Sequence, residues 1–151
     1  MILIFDKDKG NSVFSTSLIK KGDRILNFYG SRFKLSEIPK SSYDYYLQVD
    51  RDEYIGPSNK IDDFINHSCE PNAYVVVDNT AWLKALRDIM PNEEITFDYS
   101  ITSTESFDTF KLDCYCGSPN CRKIISGYNT LPTSKKSEYE DLGIVPKYQL
   151  F

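Results

Sequence analysis

Apolar positions along this chain come in short runs rich in Val, Ile and aromatic residues, each closed by a turn signal, which is the pattern of short strands rather than long helices. The runs predict strands over 2–5, 13–17, 24–29, 45–49, 73–77, 81–86 and 94–97. Turn chemistry separates them at Asp8-Lys9-Gly10-Asn11, Lys20-Lys21-Gly22-Asp23, Gly56-Pro57-Ser58-Asn59, Asp78-Asn79 and Met90-Pro91-Asn92. Helical spacing is scarce. It predicts a short helix over 60–65, and a second from Ser134 as N-cap to Leu142, with Gly143 as its stop. The expected class is mainly β with few short helices.

At 151 residues the chain suits one domain with a real core. Hydrophobic residues at 40% and charged residues at 26% fit a folded soluble protein, and eleven Tyr and nine Phe are the unusual feature. The apolar start MILIF precedes the first basic residue and meets Asp6, unlike a secretory signal, and no run approaches a membrane span. An intracellular location is expected, cytoplasmic, nuclear or chromatin-associated, with a secreted effector left open.

Charge is uneven. Residues 32–113 carry eight basic and sixteen acidic side chains, while both flanks are net positive. A net −8 in the middle argues against a nucleic-acid phosphate partner and for a basic one, although a solvated acidic surface explains it equally well.

Chemistry concentrates in two places. The only histidine lies in Asn66-His67-Ser68-Cys69, and the other three cysteines fall in Cys114-x-Cys116-x4-Cys121, with Gly117 and Pro119 between them. In a reducing compartment such clustering favours a tetrahedral zinc site over disulfides. On spacing alone, Cys69 and His67 compete for the fourth ligand position. A cysteine nucleophile is disfavoured, because its only histidine is its own near neighbour.

Three stretches in this order resemble the SET-domain family of protein-lysine methyltransferases. Asn66-His67-Ser68-Cys69-Glu70-Pro71-Asn72 is similar to the family's NHSC-x-PN segment, and Glu93-Glu94-Ile95-Thr96-Phe97-Asp98-Tyr99 to its E-E-[IL]-T-[FY]-[DN]-Y segment. Cys114-x-Cys116-Gly-x3-Cys121-Arg122 is similar to the post-SET zinc motif. Fainter matches are Lys9-Gly10-Asn11-Ser12-Val13-Phe14-Ser15, the Gly22 turn, Tyr29-Gly30 and Tyr45-Tyr46-Leu47-Gln48-Val49-Asp50, while the tail resembles the ends of small stand-alone microbial members. Two departures fall where the cofactor surface is expected: Ser12 replaces the second glycine, and Asp63 stands where many relatives carry Arg.

The resemblance implies several short-stranded small sheets with a knot-like C-terminal segment. It divides the chain into a SET domain over 1–113 with a variable insert at 32–59, a zinc knuckle over 114–122 and a closing tail over 123–151. The implied activity is transfer of a methyl group from S-adenosylmethionine to lysine of a basic, histone-like protein or peptide. Tyr99 would be the catalytic tyrosine, Tyr45 would line the lysine channel, and Phe97 would leave room for more than one methyl. The cofactor would meet Lys9, Gly10, Ser12, Tyr45, Asn66, His67, Tyr99 and Tyr115, and one structural zinc would take Cys69, Cys114, Cys116 and Cys121. Without the resemblance, Asn66 reads as a turn or cap residue, His67 as a satisfied buried imidazole, and each aromatic as core. Two rivals stand: a degenerate SET module that binds a peptide or partner without turnover, and a zinc-ribbon adaptor in 114–151.

Overall fold

The computed structural model describes residues 1–6, 10–105 and 110–150. Twelve short strands occur among them. In chain order they are β1 (Ile2–Asp6), β2 (Gly10–Phe14), β3 (Arg24–Asn27), β4 (Arg32–Phe33), β5 (Leu47–Asp50), β6 (Glu53–Ile55), β7 (Asn66–His67), β8 (Ala73–Val77), β9 (Ala81–Ala85), β10 (Thr96–Phe97), β11 (Leu112–Asp113) and β12 (Ile124–Ile125). They pair into five small sheets, ordered β1-β2, β3-β9-β8, β4-β6-β5, β10-β7 and β11-β12. All pairings are antiparallel except β7 with β10, which run parallel.

The core grows from the β8-β9 hairpin. Its residues alternate, so that Ala73 and Val75 on β8 face the same interior as Leu83 and Ala85 on β9, in the register Val75↔Leu83 and Ala73↔Ala85. Val13, Ile65, Ile89, Ile95 and Phe97 close over that face. The opposite face is polar-aromatic, with the Arg24 guanidinium 4.5 Å above the Trp82 ring. A second cluster joins Ile101 to the tail residues Tyr128, Leu131, Tyr139 and Ile144.

Several boundaries differ from expectation, each for a local reason. The 13–17 strand begins earlier and ends at Phe14, because β2 pairs with β1 from Gly10 onward. The 45–49 strand starts at Leu47, since Tyr45 closes a 3-10 turn over Lys40–Tyr45. Of 94–97, only Thr96 and Phe97 form a strand; Glu94 makes an isolated bridge to Phe14. The 60–65 helix is a 3-10 turn at Ile61–Phe64. The tail helix, α2, spans Thr133–Asp141 with Pro132, not Ser134, at its N-cap, and Gly143 takes φ +68 just beyond it. A one-turn helix, α1 (Tyr99–Thr102), was not anticipated. The turn at Asp8-Lys9-Gly10-Asn11 lies partly outside the described residues. Gly30 is required by crowding, because a Cβ there would stand 2.5 Å from the Gly56 Cα.

Candidate active site

The site forms where β7 and β10 run side by side, pairing Asn66 with Thr96 and His67 with Phe97. Ser68 N–H donates to the Phe97 carbonyl at 3.1 Å, extending the pairing by one step. Immediately after β10, Asp98 caps α1 by accepting from Ser100 N–H at 3.0 Å, and Tyr99 becomes the first helical residue.

Tyr99 is fixed at both ends. Its hydroxyl donates to the Ile65 carbonyl at 2.7 Å, and its backbone N–H donates to His67 Nδ1 at 3.1 Å. Its ring packs on Phe97 at 4.9 Å between centroids, and Phe97 meets Phe28 edge-on at 6.0 Å. Burial, assisted by the Asp44 and Glu94 carboxylates, pushes the Tyr99 hydroxyl above its ordinary range, so it stays protonated.

Two clefts open beside this tyrosine, and among the described residues it is the one that lines both. The first has aromatic walls from Phe28, Tyr43, Tyr45, Phe97 and Phe110, with Asp44 and Glu105 also contributing. The second is lined by Asn66, His67, Glu94, Tyr115 and Cys116, among others. Tyr115 is 80% exposed on the knuckle, free to lie over whatever occupies that cleft.

The expected cofactor residues separate. Asn66, His67, Tyr99 and Tyr115 share the second cleft, whereas Tyr45 lines only the first, where it is 65% exposed. Gly10 and Ser12 line neither. Instead the Asn66 amide donates to the Asn11 carbonyl at 3.0 Å, to Ser12 Oγ at 2.9 Å and to Glu94 Oε1 at 3.0 Å, so Ser12 gives Asn66 an acceptor that glycine lacks. Lys9 lies outside the described residues. Asp63 lines the first cleft rather than the second, its carboxylate accepting from the Ser58 and Asn59 amides.

All four cysteine sulfurs lie within 4.8 Å of one another, and Cys69 Sγ is 3.8 Å from Cys114 Sγ. Four sulfurs 2.3 Å from a shared centre stand about 3.8 Å apart in a tetrahedron, so the set fits a tetrahedral thiophilic ion. Burial pushes the Cys69 thiol up to about 11, against the pull of the Arg122 backbone N–H, so an ion entering here must displace protons. His67 is not a member of this set; it stands beside Cys69, with Nε2 3.3 Å from Sγ.

Asp98 is legible in the sequence as one position of the Glu93–Tyr99 segment, but its partners are not. Asp98 is wholly buried and accepts from Arg122 Nη2 and from the Tyr139 hydroxyl, each at 2.8 Å. This ties the β10 motif to the knuckle and to α2. Burial first, then the Asp98 carboxylate, hold the Tyr139 hydroxyl far above its usual range. No local pattern marks the pairing of Asp98 with Arg122 and Tyr139, which lie far along the chain.

A SET-domain family model matches residues 10–100, more than half of the chain. The chain belongs to the SET-domain family. The SET relatives include "Histone-lysine N-methyltransferase TRX1" of Oryza sativa, 33% identical over 143 residues, covering 82% of this chain and 14% of that protein. "Histone-lysine N-methyltransferase, H3 lysine-36 specific" of Candida albicans is 34% identical over 115 residues, covering 70% and 13%. This SET chain therefore spans only a small fraction of the length of those relatives. Among solved structures, KRYPTONITE in complex with mCHG DNA and SAH superposes with TM-score 0.68 at 28% identity, covering 82% of this chain and 28% of that one. KRYPTONITE in complex with mCHH DNA, H3(1-15) peptide and SAH gives 0.66 at 26% identity, covering 82% and 29%. The expected mainly β SET fold of small sheets is thus the observed one.

Proposed function

We propose that this SET domain transfers a methyl group from S-adenosylmethionine to the side-chain amine of a lysine in a basic protein or peptide of histone type. The observation that carries the reading is Tyr99, placed where an aromatic-walled cleft meets a separate polar cleft. Two reactants held on opposite sides of one tyrosine can meet in line, and alignment alone is worth roughly 7 kcal/mol or more of barrier.

The residues suit each half of the task. A free lysine has a pKa of about 10.4, and only the neutral amine attacks. The aromatic walls around Phe97, itself 7% exposed, favour that neutral form by desolvation. The Tyr99 hydroxyl donates its hydrogen bond to the Ile65 carbonyl, which leaves its oxygen lone pairs to accept from the amine and from polarised C–H groups. No general base is needed. The one histidine is unsuited to the role, because burial lowers its pKa to about 4 despite the Asp98 carboxylate nearby. Phe97 lacks a hydroxyl, which leaves space for a methylated amine and supports more than one round of transfer.

In the polar cleft, Asn66, the His67 backbone, Tyr99 and Tyr115 would hold S-adenosylmethionine, with Asn11 and Ser12 acting through the Asn66 amide. When bound there, it supplies an electrophilic methyl on a positive sulfonium. Cys69, Cys114, Cys116 and Cys121 would hold one structural zinc, with no ligand position left for catalysis. A basic substrate is supported by the cleft's acidic residues. Asp62 and Asp63 are engaged by Tyr29, Ser58 and Asn59, but the exposed Asp44 has no hydrogen-bond or ion-pair partner among the described residues. Two KRYPTONITE structures contain DNA, so the acidic segment alone does not decide nucleic-acid contact. A histone substrate would place the protein at chromatin; no helix among the described residues is long and apolar enough to cross a membrane.

The test is to incubate the protein with labelled S-adenosylmethionine and core histones, then locate the label by mass spectrometry. Labelled lysine is expected, with loss of label in Tyr99→Phe. Absence of S-adenosylmethionine binding by calorimetry would overturn the enzyme reading in favour of a non-catalytic peptide-binding module.

A further inference from the structure

We propose that His67 is a positioning residue through which the cysteine metal centre holds Tyr99 in place. This rests on the reading of Tyr99 as the methyl-transfer tyrosine and of the four cysteines as a zinc site. It adds a defined link between the two.

The link follows from chain geometry. Strand β7 ends at His67, and the chain bends at Cys69 two residues later, which brings the sulfur back beside the imidazole. The imidazole then sits between two partners, its Nε2 3.3 Å from Cys69 Sγ and its Nδ1 3.1 Å from the Tyr99 backbone nitrogen. Its side chain is 5% exposed, so water does not compete for either contact.

The donor roles are determined by the tyrosine. Tyr99 opens α1, and its N–H is one of the donors that a helix start leaves without an internal partner. Because that N–H points at Nδ1, Nδ1 must be an acceptor, which places the ring proton on Nε2 and directs it at the Cys69 sulfur. Asp98 Oδ1 lies 3.5 Å from Nδ1 but is already taken by Arg122 Nη2 and Ser100 N–H. The Arg122 backbone N–H also points at Cys69 Sγ, at 3.3 Å, so the sulfur is surrounded by donors as a thiolate requires.

A metal-bound thiolate accepts hydrogen bonds more strongly than a thiol. Metal binding therefore tightens Nε2–H on Cys69, stiffens the ring, and holds the Tyr99 amide at the start of α1. The tyrosine is then anchored by its hydroxyl on Ile65 and by its backbone through the metal centre. Hydrogen bonds of this kind to metal ligands are worth roughly 10-fold or more in metal retention.

His67 is the only histidine, so the imidazole spectrum of the 15N-His-labelled, zinc-loaded chain holds one pair of nitrogens. The Nε2–H tautomer is expected, with both nitrogen signals shifting when EDTA strips the zinc. Two variants separate the contacts. His67→Gln keeps a donor near Nε2, and zinc release to the chromogenic chelator pyridylazoresorcinol should stay within about twofold of the parent while the Tyr99 amide signal moves. His67→Asn keeps an acceptor near Nδ1 but loses the Cys69 contact; zinc release should speed by roughly 10-fold, and the Tyr99 amide signal should no longer shift when EDTA strips the zinc. In methyl transfer, kcat should fall in the Gln variant with peptide KM unchanged. An Nδ1–H tautomer, nitrogen signals indifferent to zinc, or a Tyr99 amide that responds to EDTA in both variants as it does in the parent would overturn the link. An inactive parent protein would instead refute the proposed function, because the tautomer, amide and zinc-release measurements do not depend on turnover.

Discussion

Replacing Asp98 with alanine should destabilise the protein more than any change to a single exposed charge. The carboxylate is wholly buried and receives three donors: Arg122 Nη2 and the Tyr139 hydroxyl at 2.8 Å each, and Ser100 N–H at 3.0 Å. The Arg122 side chain is only 15% exposed, and its Nη1 is already buried without a partner. Removing the carboxylate leaves this guanidinium without its counter-charge, which costs about 3–5 kcal/mol. The stranded Tyr139 hydroxyl belongs to the same network, so its loss does not simply add. Against a whole-domain stability of about 5–15 kcal/mol this is a large fraction, and at roughly 2–4 °C per kcal/mol it lowers Tm by about 10 °C. Urea unfolding of zinc-loaded protein followed by far-UV circular dichroism gives the difference. The double variant Asp98→Ala, Arg122→Met should recover much of the loss, because it no longer buries an unpaired charge. A single-variant loss under about 1 kcal/mol, typical of an unremarkable surface site, would refute the argument.

Tyr99→Phe removes the hydroxyl between the clefts and should lower kcat by about 100-fold or more with little change in S-adenosylmethionine affinity, measured by radiometric assay and calorimetry. Cys69→Ser should reduce zinc below one ion per chain by atomic absorption; an unchanged stoichiometry and affinity would remove Cys69 from the ligand set. Asp44→Asn should raise KM for a lysine peptide with basic neighbours and leave KM for one with neutral neighbours unchanged, and the difference should shrink with added salt, as expected of an exposed charge. Chelating the zinc should expose the Cys114–Cys121 knuckle to proteases while α2 stays protected, because Tyr139 remains tied to Asp98.

What the sequence disclosed was the chemistry carried by contiguous motifs and the longer strands. The β8 run appears at 73–77 as expected because Ala73-Tyr74-Val75-Val76-Val77 is a short run of β-favouring residues closed by the Asp78-Asn79 turn. The two-residue strands β7 and β10 give none, and yet their parallel pairing aligns Asn66-His67 with Thr96-Phe97. The three cysteines in one knuckle were legible from spacing, which left Cys69 and His67 competing for a fourth place; the family resemblance favoured Cys69, and its sulfur does lie with the other three. Asp98, Arg122 and Tyr139 form one network from three separate stretches, with 41 positions between the first and last. No local pattern encodes such a contact. The clefts were equally hidden: Asp63, expected near the cofactor, and Tyr45, expected both in the lysine channel and at the cofactor, line the aromatic cleft, where the 3-10 turns that carry them lie.

The parallel pairing of β7 with β10 explains why so much depends on so short a region. In a parallel pair both strands leave from the same edge, whereas an antiparallel pair would send them out at opposite edges. Here each departing strand carries an anchor for the tail: Cys69 lies two residues past β7, and Asp98 immediately follows β10. The tail answers with adjacent residues, Cys121 joining the sulfur cluster and Arg122 the Asp98 carboxylate. His67 and Tyr99 are each the neighbour of an anchor, and they touch each other through Nδ1. The tyrosine shared by the two clefts is therefore bracketed by a metal-type clamp and an ion-pair clamp that close on the same edge. Both clamps draw on the chain beyond Cys114, so the packing of that segment adds to the hold that Ile65 and Phe97 already have on Tyr99.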